Sequence, residues 1–488
     1  MLRMPQAADT SMPRSRKSAV RSGILTGLSS LAVSGSAAFA YGILAHEFGR
    51  TVRTDGFLAA YTIYLALALA AQAFRIAVVP DLTRAAAAGR LAAELRSYLL
   101  AFASLAVPLW ALVTIFRHPL ADAITAKPAA SALAAHALPW VVAAGFGQLL
   151  GAVCASALAA RDEFGVAAIG YSAGAVANVA VFAALAHSQG LISLAWGVAL
   201  NAAIVVGVPL VGFALREGRP STGAPVRLGA RLSLLLRGVA VPFAIQGLVV
   251  IAQRFAAGLG AGDGTSFVTA YLIAAVLVTA TASSVALISS APLTRRGIDA
   301  PDAARHVVHA TWLSVALVGG RVSAFVLGDA YGGGTGRELG RLVVYLAPWM
   351  LAAVAYTATF PLVFVMERAR FLYSVAAGAL VLHVPLTWVL REALGLAGIA
   401  LALAVTTFGV TAALTAAVSP RMLALTAEGL ARLALAVGAL AFASFGILAL
   451  LLGGIPAAAA GLVVYAVLLA ALRPRGLRDA WAYVRALH

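Results

Sequence analysis

Apolar residues in this chain neither alternate nor keep to one helical face. They come in unbroken runs of about 20 residues, the length a helix needs to cross about 30 Å of hydrocarbon. The runs fall at 22–45, 57–80, 97–117, 131–158, 165–186, 190–215, 231–256, 266–292, 307–328, 341–366, 370–392, 395–417, 428–451 and 454–472. Short polar stretches between them make successive helices antiparallel neighbours. The pattern predicts an all-α, polytopic membrane protein with about fourteen transmembrane helices.

Composition agrees. Of 488 residues, 62% are apolar and 11% charged, against roughly 25% charged in soluble domains. The net charge of +17 does not form a basic domain. It is scattered over short loops without aromatic platforms, which excludes nucleic acid as a partner. Cys154 is the one cysteine, so no intrachain disulfide can form. Nearly all cations are Arg, and alanine is in excess, as in a GC-rich bacterial genome.

Loop charges give the orientation. With the N-terminus inside, the inner segments hold most of the 35 Lys and Arg residues. They include Arg84, Arg90, Arg96, Arg216, Arg219, Arg227, Arg231, Arg295 and Arg296. The outer loops hold only Arg50, Arg53, Arg117, Lys127, Arg337, Arg341 and Arg391. Residues 1–21 then form a basic cytoplasmic tail, and 22–45 an uncleaved first span, too long for a signal-peptide core. Both termini are expected in the cytoplasm, with the chain in the cell membrane.

The chain also repeats. Phe57-x-x-Ala60-Tyr61 recurs as Phe267-x-x-Ala270-Tyr271. Pro80 with Leu82-Thr83-Arg84 recurs as Pro292 with Leu293-Thr294-Arg295. Gly190-Leu191 recurs as Gly395-Leu396, all about 210 residues apart. Each repeat holds six helices, so the halves share one topology and should be related by a pseudo-two-fold axis along the membrane normal, with a cavity between them. The expected organisation is an N-lobe over 22–218, a C-lobe over 219–420, an extra helix pair over 421–472 and a cytoplasmic tail over 473–488.

No enzyme chemistry stands out. Gly258-x-Gly260-x-Gly262-x-Gly264 misses the dinucleotide spacing and reads as an outer turn. Tyr331-Gly-Gly-Gly-Thr-Gly336 lacks a Walker lysine and reads as an outer loop. His306-x-x-His309 has no third ligand nearby, so no metal or other cofactor is expected. Asp55 and Asp263 end repeat-related spans without forming a recognisable acid pair. The informative residues are polar ones inside spans, which tend to face a bundle interior or an aqueous path. They are Gln72, Arg75, Gln148, Asn178, Arg237, Gln246, Gln253, Arg254, Arg321 and His383. For Arg75, Arg237 and Arg254 the competing reading is snorkelling to a nearby span end. For Asn178 and Gln246 it is a helix–helix hydrogen bond.

Phe48-Gly49-x5-Asp55-Gly56-Phe57-x-x-Ala60-Tyr61, closing at Pro80, resembles the first two helices of the MurJ/MviN lipid II flippases. It also resembles the wider multidrug/oligosaccharidyl-lipid/polysaccharide (MOP) exporter superfamily. Phe255-Ala256-x-x-Leu259-x-x-Gly262 leading to Ala270-Tyr271 is similar to the matching element of the second half. The resemblance covers about residues 22–420, and the extra helix pair matches the MurJ-type layout. The chain departs from that family where first-helix arginines are missing from 34–40, and where Ile273 and Ala274 replace an arginine. The helix-five asparagine is kept as Asn178, with His383 at its repeat position.

The resemblance implies a flippase or exporter, not an enzyme. It would move a lipid-linked glycan or another amphiphilic anion across the membrane by alternating access. Arg75, Arg237, Arg254, Gln72, Gln246, Asn178, His383 and Arg321 would then be cavity candidates, with Arg53 and Asp55 in an outer gate motif. Membrane lipids and cell-envelope biosynthesis proteins would be its partners. A small-molecule exporter of the MATE type, a non-transporting scaffold and a membrane glycosyltransferase are the alternatives. With no carboxylate in mid-span, the membrane potential rather than a sodium gradient is the expected driving force.

Overall fold

The computed structural model describes residues 51–125, 128–161, 163–217, 227–260, 262–278, 281–282, 299–317, 333–366, 368–452, 454–472 and 475–487, with scattered helical positions between 29 and 48. Among these the chain is helical and contains no strand. The first half carries α1 (Val52–Ala87), α2 (Leu91–Ile115), the short α3 (Arg117–Ile124), α4 (Pro128–Ala159), α5 (Gly165–Gln189) and α6 (Ile192–Glu217). The second carries α7 (Leu228–Ala257), α8 (Asp263–Val278), α9 (Ala300–Leu317), α10 (Gly333–Tyr345), α11 (Ala347–Val365), α12 (Leu372–Leu394) and α13 (Leu396–Val418). The chain ends in α14 (Pro420–Ala441), α15 (Gly454–Leu472) and α16 (Arg475–Leu487). Nine helices among the described residues are long and apolar enough to cross a bilayer.

Local chemistry sets the helix ends. Thr51 caps α1 by accepting from the Thr54 amide at 3.2 Å, and Asp55 stands in the first turn, where a carboxylate suits the helix dipole. Ser419 caps α14 in the same way, with Pro420 following it. Gly190 and Gly395 turn the chain from α5 into α6 and from α12 into α13. Their φ values of 69° and 59° are left-handed, which favours glycine at both repeat-related positions.

In the first half, α4 is buried along most of its length and packs on α1, α2 and α6, while α5 packs on α6. In the second half, α11 packs on α13, α12 on α13 and α7, and α8 on α10 and α7. One large apolar core joins the second-half helices, and two smaller cores hold the first half. The halves meet along α1, α2 and α7. Outside them, α14 leans on α9 and α13.

Four elements differ from the hydropathy reading. The span expected at 341–366 is two helices, because Leu346 breaks the run before Pro348, and the amphipathic α10 stands separately. The glycine run read as a loop at 331–336 already contains the start of α10. The span expected at 428–451 begins earlier, at Pro420, and passes through a π turn (Phe442–Gly446) before ending at Leu451. Residues 475–487, read as tail, form the amphipathic α16, which lies across α9. A Cβ at Gly476 would overlap Trp312, and the Tyr483 hydroxyl lies 3.3 Å from His306 Nδ1. Such a face is invisible to a search for long apolar runs, because its charges dilute the average.

Candidate functional site

α1 has 36 residues, so it is about 54 Å long at 1.5 Å per residue and outreaches about 30 Å of hydrocarbon. Asp55 and Asp81 therefore stand near opposite ends of the helix, about 39 Å apart along its axis. α7 runs antiparallel to α1 on the other half of the molecule. The two helices are bonded to each other near both ends.

At one end, Arg231 of α7 reaches α1 and α2 together. Its Nη1 lies 2.6 Å from Asp81 Oδ2, and its Nε pairs with Glu94. The Tyr98 hydroxyl donates to the same Asp81 oxygen at 2.7 Å, and the Arg231 guanidinium lies 5.1 Å from the Tyr98 ring centre. The three charged side chains are only 16–19% exposed. Arg84 adds a looser contact to Asp81 at 3.6 Å. A half-buried guanidinium flanked by two carboxylates is weak evidence of stability but strong evidence of position, since withdrawing one partner strands the others.

At the other end, the Thr265 hydroxyl of α8 donates to Asp55 on α1. One level deeper, Thr62 Oγ1 lies 3.0 Å from Gln253 Oε1 of α7 while also reaching Leu58 O at 2.7 Å. Arg53 is exposed beside Asp55 and Arg254 is exposed in the last turn of α7.

Between the two ends, the sequence candidates divide. Arg75 is half-buried on α1, six residues inside Asp81. Its Nε has no hydrogen-bond partner among the described residues, and its guanidinium lies 5.8 Å from the Tyr171 ring of α5. Arg237 is exposed on α7, six residues inside Arg231. Because Asp81 and Arg231 are paired, Arg75 and Arg237 stand at one depth on opposite halves, about 9 Å inside that pair. The structure places no contact between them. The Gln72 side chain and all of Arg321 lie outside the described residues.

The other polar candidates sit within one half. Gln246 accepts from the Tyr271 hydroxyl at 3.1 Å, tying α7 to α8. His383 is fully buried where α12, α13 and α7 meet. Its Nδ1 is 2.9 Å from Thr406 Oγ1, and its Nε2 is 3.1 Å from Leu248 O and 3.2 Å from Thr387 Oγ1. Asn178 is buried at the α5–α6 crossing. A Cβ at Gly197 would lie 2.5 Å from Asn178 Oδ1, and one at Gly174 would lie 2.3 Å from Asn201 Oδ1. The helices thus interlock, each asparagine filling the notch of the other helix's glycine, as small residues allow in membranes. Gly197→Ala is expected to lower the thermal unfolding temperature, costing about 1–3 kcal/mol. Gly207→Ala on the same helix, where a Cβ meets nothing within 4 Å, should leave it nearly unchanged.

No family model matches this sequence, and no curated protein matches it by sequence. Solved structures do. The structure superposes on the lipid II flippase MurJ in its inward closed conformation with a TM-score of 0.69 at 14% identity, over 92% of this chain and 97% of that one. It superposes on the eukaryotic MATE transporter AtDTX14 with a TM-score of 0.64 at 13% identity, over 85% and 99%. For the Vibrio cholerae MATE transporter VcmN in its bent form the values are 0.56 and 14%, over 86% and 98%.

The chain has the fold shared by MurJ and the MATE transporters.

In this MurJ/MATE fold the cluster at the Arg231 end is what sequence reasoning missed. Asp81 and Glu94 fall one and three residues outside the apolar runs, and Arg231 is the first residue of its run, where it counts with the inner loop charges. α1 in fact continues to Ala87 and α2 begins at Leu91, so both carboxylates stand on helices. The available signal was Asp81 standing as an extra residue between Pro80 and Leu82-Thr83-Arg84, absent from the second copy, Pro292-Leu293-Thr294-Arg295.

Proposed function

We propose that this chain carries an amphiphilic anion, of the polyprenyl-pyrophosphate glycan kind, across the cell membrane by rocking its two halves. The observation that carries the reading is the pair of polar closures that tie α1 to the second half, Asp81 with Arg231 of α7 at one end and Asp55 with Thr265 of α8 at the other, with Arg75 between them along α1 and its Nε unpartnered. Phosphates cannot enter hydrocarbon alone, and a guanidinium gives them a planar, bidentate partner. Opening the Arg231 end while the Asp55 end stays shut, then the reverse, exposes the interior to each side in turn. No bond of the cargo has to be made or broken, so the protein needs no catalytic residue. The loop-charge bias puts the Arg231 closure at the cytoplasmic face, with both termini cytoplasmic. Proteins that build lipid-linked glycans for the envelope are its natural partners.

The likeness to MATE transporters supports a small-molecule exporter equally at the level of fold. A cationic cargo or a coupling cation would call for a free carboxylate in the seam. Asp81 and Glu94 are both engaged by Arg231, and Asp55 at the other end accepts from Thr265, which favours the anion.

Vesicles holding the purified protein and a fluorescent polyprenyl-pyrophosphate sugar test this. Flipping should follow an imposed membrane potential and persist without sodium. Arg75→Gln and Arg75→Lys should both lower it by roughly ten- to a hundredfold, since losing a charge-assisted bond costs about 1.5–3 kcal/mol and lysine lacks the fork. Normal flipping in both variants would remove Arg75 from the cargo path. Efflux of cationic dyes without lipid flipping would establish the exporter instead.

A further inference from the structure

α10 is set apart from the spanning helix that follows it. Leu339, Leu342 and Val343 bury one face in the core of the second half, and α10 packs on α8 and α13. The opposite face carries Arg337, Arg341 and Tyr345, each one turn after the last and all exposed. A cavity of about 580 Å³ opens along this stripe, within the range of about 300–1,000 Å³ typical of small-molecule sites. Its far wall is Leu394, Leu396 and Ala397, at the turn from α12 into α13, and Gly334 and Glu338 complete it. Among the described residues, neither Arg337 nor Arg341 has a carboxylate within ion-pair distance, although Glu338 lines the same space.

We propose that this cavity is a lipid-headgroup site that takes a phosphoethanolamine lipid. Two guanidinium groups one turn apart on one helix face can share a phosphodiester. Glu338 beside them can accept from a primary ammonium about one headgroup length away. The apolar wall of Leu394 and Leu396 suits the glycerol and first acyl carbons, and Tyr345 sits as aromatic side chains do at a membrane interface. The mixed charge of the wall decides among lipids. A phosphoglycerol headgroup would bring no cation to Glu338. A phosphocholine headgroup would bring a cation with no N–H to donate. Free phosphate would leave the apolar wall unused. The site is separate from the α1–α7 seam, so it does not depend on the transport reading.

Native mass spectrometry of the full-length protein, with phosphatidylethanolamine, phosphatidylglycerol and phosphatidylcholine of matched acyl chains, tests the assignment. The wild type should retain several-fold more phosphatidylethanolamine than either other lipid, and inorganic phosphate should not displace it. The double variant Arg337→Gln/Arg341→Gln should lose at least tenfold of that binding. Glu338→Gln should erase the preference for phosphatidylethanolamine over phosphatidylcholine while leaving some lipid bound. Equal retention of the three lipids by the wild type overturns the proposal without recourse to any variant. Full phosphatidylethanolamine binding by the double variant overturns it too, and displacement by inorganic phosphate would make this a simple anion site.

Discussion

Arg231→Ala is expected to part the two halves at the Asp81 end. The substitution leaves Asp81 and Glu94 facing each other, mostly buried, with their shared cation gone. Breaking a fully buried ion pair from one side costs about 3–5 kcal/mol; for this half-buried cluster the lower end is expected, which still moves a two-state equilibrium by about a hundredfold. Spin labels at exposed Arg96 on α2 and Leu228 on α7 would read the separation. The Arg231→Ala distance distribution should shift to longer values. Asp81→Asn added to Arg231→Ala should recover part of the short-distance population, because it removes one stranded charge. A distribution identical to wild type in Arg231→Ala would mean that packing, not this cluster, holds the halves together there.

Gly56→Ala should be the most damaging small substitution on α1. A Cβ at Gly56 would stand 2.2 Å from Ala130 O and 2.6 Å from Ala130 Cα, all backbone atoms of α4. No side chain can turn aside to relieve the overlap, so α1 must lift from α4 along the contact on which the first half is built. The expected loss is at or above the upper end of the about 1–3 kcal/mol typical of overpacking. Because Asp55 is the adjacent residue, the Asp55–Thr265 bond should weaken as well. Gly409→Ala on α13, where a Cβ meets nothing within 4 Å, is the matched control. Thermal unfolding in detergent separates them: a large drop for Gly56→Ala and little for Gly409→Ala. Equal melting would show that α1 and α4 can separate without consequence.

The helices were legible because hydrocarbon demands long apolar runs, and the limits of α4 to α7, α12 and α13 fall within a few residues of those runs. Polar positions in mid-span were legible as buried: Gln246, Asn178 and His383 all are. What their side chains meet was not, because spacing along one helix says nothing of which helix lies opposite. His383 bonds to Leu248 O, 135 residues away. Arg231 meets Asp81 across 150 residues, and hydropathy had already assigned both to span edges. An interface closure needs charged residues at the ends of apolar runs, where a composition window discards them. Asp55 and Thr265 lie 210 residues apart, close to the spacing of the repeated motifs. The sequence held that relation without indicating that the two touch.

Alternating closure of the two halves around a lipid-linked anion is tested most directly by tying them together at the Asp55 end. Asp55→Cys with Thr265→Cys places two thiols where the native side chains are hydrogen-bonded, while Cys154 stays buried. In vesicles carrying fluorescent polyprenyl-pyrophosphate sugar, the oxidised protein should stop flipping the lipid, and a reductant should restore it. Undiminished flipping by fully cross-linked protein would contradict the account.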